Sequence, residues 1–222
     1  MHFLKNLGIE TARLIGHSLG GHITTRFTAT YPDRVEQLVL LDGMGPPGIQ
    51  DKVIPDQSQA RLRQGIDTVS AITGDRRAIA DLEMAKQRLK SNNPLISDEL
   101  LDLVVSEGTE PHPDGGVRWR WESAVNMIWH SFSQAETEAL IGLIDCPVLI
   151  VTGDRGLDYW VTMDARINNP SFYASEIERR EKLFRHAKHV LIENAGHMLH
   201  YDQPLAVYAE VNRFFESEVA AT

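Results

Sequence analysis

Gly16-His17-Ser18-Leu19-Gly20-Gly21 sets a serine among glycines at a spacing suited to nucleophilic catalysis. An apolar run, Ala12 to Ile15, leads into it, and a helical pattern carrying Leu19, Ile23 and Phe27 leads out. Strand, sharp turn and helix form the setting in which a Gly-x-Ser-x-Gly serine is lifted clear of the backbone. The glycines have a steric purpose: Gly16 and Gly20 are expected to leave room where strand crosses helix, and Gly21 to let the helix pack closely. A serine hydroxyl attacks well only when a base takes its proton and donors await the oxyanion. The amide of Leu19, first in the following helix, is expected to be one such donor.

The base is expected to be a histidine on a loop that follows the last strand. Asn194-Ala195-Gly196-His197 provides it, with Gly196 loosening the loop and a final helix anchoring it. His200, three residues on, is the rival; its alternative is a surface or capping role. His17 and His22 flank the serine and read as packing or polar groups beside the site. No His, Cys, Asp or Glu cluster has metal-ligand spacing, so no metal is expected.

These groups need a scaffold. Met1 to Leu7 reads as the end of a helix capped by Gly8. Leu38 to Leu41 is a continuous apolar run, the texture of a strand covered on both faces, and it stops at Asp42. Residues 43–56, with Gly43, Gly45, Gly48, Pro46, Pro47 and Pro55, read as a loop. From 57 to 144 helical patterns dominate: Gln57 to Ile72, Asp75 to Lys90, Asp98 to Val105 behind an N-cap at Ser97, and a fourth behind a Ser133–Glu136 capping box. Between them Glu107 to Trp121 is rich in Gly and Pro, without a regular strand pattern. Strand texture returns at Val148 to Thr152 and His189 to Ile192, separated by a polar helix over Ser175 to Phe184. Pro204 opens a last helix, with Leu205, Tyr208, Val211 and Phe215 on one face. Strands alternating with helices imply an α/β fold with a parallel sheet and right-handed crossovers.

Several segments together resemble the α/β-hydrolase-fold serine hydrolases. They are Ala12 to Gly21, Asp33-Arg34-Val35, Leu38 to Asp42, Pro147 to Gly153 and Ala195-Gly196-His197, in the order and spacing of that family. Leu89 to Asn92 and Gly115 to Trp119 give a fainter likeness to its serine-hydrolase-like subgroup. The resemblance implies a parallel half-sheet, the fifth to eighth strands of that fold, interrupted by a helical cap. It divides the chain into 1–48 (core with the serine), 49–145 (cap) and 146–222 (core with His197). It also implies carboxylic ester hydrolysis through a Ser-His-Asp triad and an acyl-enzyme. The acid stays open. Most members carry it three residues after the glycine closing the seventh strand, which here is Gly156. Asp154 and Asp158 stand nearby, and Asp42 stands at the sixth strand end, where other members carry it.

One motif competes with this reading. Gly43-Met44-Gly45-Pro46-Pro47-Gly48 follows a strand and matches a dinucleotide fingerprint. That motif must open a helix whose amides hold a pyrophosphate, and Pro46 and Pro47 have no N–H to give. No cofactor is therefore expected. Trp119, Trp121, Trp129 and Phe132 could line a pocket or form the core of the cap. Cys146 reads as a small buried residue and, being the one cysteine, excludes an internal disulfide.

With 22 basic and 31 acidic side chains the net charge is −9, which disfavours nucleic-acid and anionic-membrane partners. No apolar stretch spans a bilayer and no signal peptide is visible, so the cytoplasm is expected. The family places about a hundred residues before such a serine. The chain is accordingly expected to lack the N-terminal strands and one oxyanion donor, to be weak or inactive alone, and to expose the 12–15 strand edge to self-association. Three readings follow: an ester hydrolase acting on a small molecule, a non-catalytic binding module, or a fragment needing a partner chain. Ser18 excludes an aspartate nucleophile.

Overall fold

The computed structural model describes residues 2–48, 63, 78–121, 133–163 and 165–217. The expected helix over Gln57 to Ile72, Arg63 apart, lies outside them, as do Trp129 and Phe132. The chain divides into two compact units, Met1–Ile49 with Gln134–Thr222, and Gln50–Ser133.

The first unit is built on four parallel strands, β1 (Ala12–His17), β2 (Val35–Leu41), β5 (Val148–Gly153) and β6 (Ala187–Ile192), in the order β1-β2-β5-β6. Two further strands, β3 (Thr109–Pro111) and β4 (Val117–Trp119), belong to the second unit. The continuous apolar runs of β2 and β5 arise because both faces of the sheet are covered. Val39, Leu41, Leu149 and Val151 join one core with Ile192, Leu199, Val207 and Val211. Leu38, Leu40, Val148 and Ile150 join another with Ile141, Ile144 and Phe184. Each such side chain contributes about 1.5–3 kcal/mol by leaving water. At the other extreme β1 ends the sheet: among the described residues it pairs with β2 alone, and Ile15 is 51% exposed.

Helix α1 (His2–Asn6) precedes β1, with Gly8 left-handed at φ 67°. Helix α2 (Leu19–Thr30) follows the serine, and Pro32 ends it in a short 3-10 turn. Its buried residues are Gly21, His22, Thr25 and Thr28, whereas Ile23 is 51% exposed. The close crossing with β1 turns small and polar residues inward, and the apolar stripe read from the sequence is not the packed face.

In the second unit α3 (Leu82–Asn92) starts late in its predicted span, where Asp81 caps the amide of Met84 at 2.8 Å. Helix α4 (Asp98–Gly108) begins as expected, with Ser97 accepting from the amide of Leu100. Within the Glu107 to Trp121 stretch, the first two residues end α4 and Thr109 to Trp119 form an antiparallel hairpin of β3 and β4. Three-residue strands are too short to show alternation, and the turn between them uses Gly115 and Gly116 at φ 100° and 75°. Trp121 is exposed on this unit.

Four helices complete the first unit after α5 (Gln134–Ile141): α6 (Gly156–Met163), α7 (Pro170–Glu181), α8 (Leu199–Asp202) and α9 (Pro204–Ser217). Helix α5 packs with the sheet unit and is tied to α2 by a bidentate Arg26–Glu136 pair, so the boundary falls at 133/134 and not at 145. Helix α7 begins five residues before its predicted start, because Asn169 caps it and Pro170 occupies its first position. Helix α9 buries Val207 and Val211, while Leu205 and Tyr208 face outward.

Candidate active site

The residues after β1, β2 and β5 converge at the C-terminal edge of the sheet. Each carries the parallel ladder one step further: the amide of Ser18 donates to Leu41 at 3.1 Å, that of Asp42 to Val151 at 2.8 Å, and that of Asp154 to Ile192 at 3.0 Å. Ser18 and Asp42 are left-handed, at φ 50° and 41°. Outside glycine this conformation costs about 1–3 kcal/mol and survives only where the surroundings enforce it.

At Ser18 the enforcement is a crossing of bare backbones. A Cβ on Gly21 would lie 2.4 Å from the Cα of Gly43, and one on Gly16 2.6 Å from the carbonyl of Gly20. Gly20 itself has nothing within 4 Å of its own Cβ position, so the room attributed to it is not needed; Gly43 fills the third place in the crossing. This also explains the apparent dinucleotide fingerprint. Gly43 packs against the turn, and the carbonyls of Met44, Gly45 and Pro46 accept hydrogen bonds from Arg180. A phosphate cradle presents amides, and here carbonyls converge on a cation.

The predicted base meets the serine. His197 is buried, its Nε2 lies 2.9 Å from Ser18 Oγ, and its Nδ1 lies 2.5 Å from Asp42 Oδ2. The loop carrying it is held from three sides. Asp154 Oδ1 accepts from the amide of Ala195 at 3.0 Å, Asp202 Oδ2 accepts from that of Gly196 at 2.8 Å, and the amide of Arg155 donates to the carbonyl of Ala195 at 2.9 Å. Of the three candidate acids, then, Asp42 faces His197, Asp154 braces its loop, and Asp158 pairs with Arg155 at the surface. The amide of Leu19 opens α2, where helical amides have no partner of their own.

Three histidines pack together here. His17 donates from Nε2 to the carbonyl of His197 at 2.9 Å. His200 sits edge-on to His17, with ring centroids 4.5 Å apart. Burial lowers the pKa of both to about 4, His17 against the opposing effect of its hydrogen bond and His200 with help from His17 and His197, so both are neutral at pH 7. His22 accepts from Arg26 Nε at 2.9 Å and belongs to the core of α2.

Other neighbours escaped the sequence reading. Helix α6 stacks Tyr159 on His197, with ring centroids 3.8 Å apart and planes 5° from parallel, and sets Trp160 edge-on at 5.4 Å. The signal was available: Leu157, Trp160 and Val161 follow Gly156 at helical spacing. At Gly156 a Cβ would lie 2.6 Å from Tyr173 Oη and 3.6 Å from Asp42 Oδ2, so the tyrosine fills the space beside the acid. Burial, and then the charge of Asp42, push the Tyr173 phenol far up and keep it protonated. Arg180 is buried with Glu176, Nε to Oε1 at 2.7 Å, and its other nitrogens hold the loop after Asp42. Nothing local in the sequence announces that clamp.

Known proteins carry the same arrangement of elements. The α/β hydrolase fold family model matches residues 2–204. A serine hydrolase-like protein of Danio rerio is 27% identical over 92% of this chain and 60% of its own length. A (lyso)-N-acylphosphatidylethanolamine lipase of Bos taurus is 26% identical over 96% of this chain and 61% of its own. The chain thus spans about three fifths of the length of these curated relatives. Among solved structures, a thioesterase domain from the curacin biosynthetic pathway superposes with a TM-score of 0.70 at 21% identity, over 95% of this chain and 68% of that one. A hypothetical protein from Pseudomonas aeruginosa PAO1 gives 0.71 at 26% identity, over 98% and 70%. Parallel sheet, serine turn and family model agree, and the chain belongs to the α/β-hydrolase family.

Proposed function

We propose that this chain is a serine hydrolase that cleaves a small carboxylic ester through Ser18, His197 and Asp42. The observation that carries the reading is the continuous line of hydrogen bonds from Ser18 Oγ through both nitrogens of His197 to Asp42. Ser18 Oγ attacks the ester carbonyl as His197 Nε2 takes its proton. Asp42 accepts from Nδ1–H, which fixes the tautomer and stabilises the imidazolium. The amide of Leu19 donates to the oxyanion. His197 then protonates the departing alkoxide, leaving an acyl group on Ser18. Water, deprotonated by His197, attacks the acyl-enzyme and releases the acid. The family membership supports a hydrolase, and the lipase among the relatives favours an oxygen ester. No helix among the described residues is long and apolar enough to cross a membrane.

A fluorophosphonate probe tests the reading directly. The wild-type chain is expected to be labelled and Ser18→Ala not. On p-nitrophenyl acetate, Asp42→Asn is expected to lose about 10⁴-fold in kcat, as loss of the orienting acid does elsewhere. Asp154→Asn and Asp158→Asn should stay within about tenfold of wild type. Absence of labelling in the wild type, or an Asp154 variant as impaired as the Asp42 variant, would overturn the assignment.

A further inference from the structure

Two in-plane hydrogen bonds fix His197 only while its ring keeps one orientation. A turn about the Cβ–Cγ bond carries Nδ1 away from Asp42 and Nε2 away from Ser18 together. The protein blocks that turn with aromatic faces. Tyr159 lies parallel to the imidazole at 3.8 Å, Trp160 meets it edge-on at 5.4 Å, and His17 lies tilted at 4.9 Å. Tyr159 and Trp160 are consecutive residues of α6, one on the face of the ring and one on its rim. Trp160 is buried in a small core with Ile167 and Tyr173, which fixes the helix that presents Tyr159.

We propose that Tyr159 is a positioning residue for His197, holding the imidazole plane by face-to-face stacking and stabilising the imidazolium formed when Ser18 gives up its proton. This rests on the serine-hydrolase reading of the site. A neutral imidazole on a phenol gains a modest stacking energy, whereas a cation over an aromatic face gains more, from the ring quadrupole. The stack therefore strengthens as charge develops on His197, which places its effect in the transition state. The ring face does this and the hydroxyl does not, so phenylalanine should serve as well as tyrosine. The groups facing His197 from the other elements are Ser18 and His17 on the serine turn and Asp42 after β2, with His200 of α8 against His17 and near enough to feel the charge of His197, and Tyr173 of α7 beside Asp42. None of them changes when Tyr159 is replaced.

The test compares Tyr159→Phe and Tyr159→Leu with wild type in the full chain. The His197 imidazole is titrated by NMR, which needs no turnover. In Tyr159→Leu its pKa is expected to fall by about 0.7 unit, a fivefold loss of imidazolium stabilisation, while Tyr159→Phe stays within 0.2 unit of wild type as an order of magnitude. In turnover of p-nitrophenyl acetate the leucine variant should lose about fivefold in kcat with little change in KM. The acid limb of its pH profile should move to lower pH, because a less basic histidine stays neutral further into acid. An unchanged His197 pKa in Tyr159→Leu overturns the proposal, and so does a phenylalanine variant as altered as the leucine one. If the titration behaves as expected but no fluorophosphonate labels Ser18, the hydrolase reading fails and the stacking assignment stands.

Discussion

Ser18 and Asp42 follow adjacent strands and both carry a positive φ, yet the protein supports them by opposite means. Ser18 rests on apposed backbones, with Gly16, Gly21 and Gly43 packed where no Cβ fits. Asp42 is followed by a loop whose carbonyls are held by one buried cation, Arg180, itself balanced by Glu176. The first device is steric and local. The second is electrostatic and joins residues 136 positions apart in the chain. Steric support tolerates no added atom, and electrostatic support tolerates no lost charge.

The largest effect should come from losing that charge. Arg180→Met removes one of the two arginines of buried Glu176, which keeps the half-exposed Arg179 with the Gly48 amide and Gln134, and releases three loop carbonyls. Breaking a buried pair from one side costs about 3–5 kcal/mol. Denaturant unfolding should show a loss of that order, and kcat should fall as the Asp42 loop slackens. Adding Glu176→Gln should recover part of the stability, because no buried carboxylate then remains to be balanced by Arg179 alone. A single variant no less stable than the double would show that the clamp is a surface-like pair, and the contrast with the serine turn would vanish.

Next in size is the steric side. Gly21→Ala puts a methyl group 2.4 Å from the Cα of Gly43, and neither backbone can yield without disturbing the turn at Ser18. Overpacking of this kind costs about 1–3 kcal/mol. Gly20→Ala, one residue earlier, meets nothing within 4 Å and should change stability by less than about 1 kcal/mol, toward stabilisation by helix propensity. Thermal unfolding of the two variants compares them directly. Equal costs would mean that the glycines serve flexibility and not the crossing.

The same contrast explains what could be read from the sequence. The serine turn was legible because its steric logic is confined to residues 12–21, where strand, glycines and helix are contiguous. His197 was legible because the loop after the last strand leads to the end of the sheet where Ser18 lies. The acid was not separable. Asp42 and Asp154 both follow parallel strands, and which of them meets His197 depends on φ at residue 42 and on the Ala195 amide that occupies Asp154. Arg180 and Tyr173 were invisible because they reach the site from α7, and only the packed fold relates that helix to the loop. The stripes of α2 and α9 misled for a related reason. Periodicity finds a helix, but the close crossing at Gly21 and the covering of β5 by α9 decide which face is buried.

Acid should also separate the two supports, with a gentler effect. His17 and His200, packed on the serine side, have folded pKa values of about 4 against about 6.5 when unfolded. Between those values the unfolded chain binds protons that the folded one refuses, so stability falls as pH drops through that window. The slope is about 1.4 kcal/mol per pH unit for each residue while its unfolded form is protonated. Glu176 behaves differently. Burial alone would raise its pKa, but Arg179 and Arg180 outweigh it and hold the carboxyl below 4.5. Its contribution is therefore intact above its ordinary unfolded value of about 4.5 and is lost as pH falls from there through the depressed folded value, so it fades only at the acid end of the histidine window. Unfolding midpoints measured from pH 7 to 4 should fall steadily in wild type and less steeply in a His17→Gln/His200→Gln variant. His22 and His189, which burial also lowers, keep part of the slope, and the carboxylates held low by their arginine and lysine partners add to it at the acid end. An unchanged slope in the double variant would mean that the serine side opens to water before its histidines titrate, and that its support is weaker than the clamp beside it.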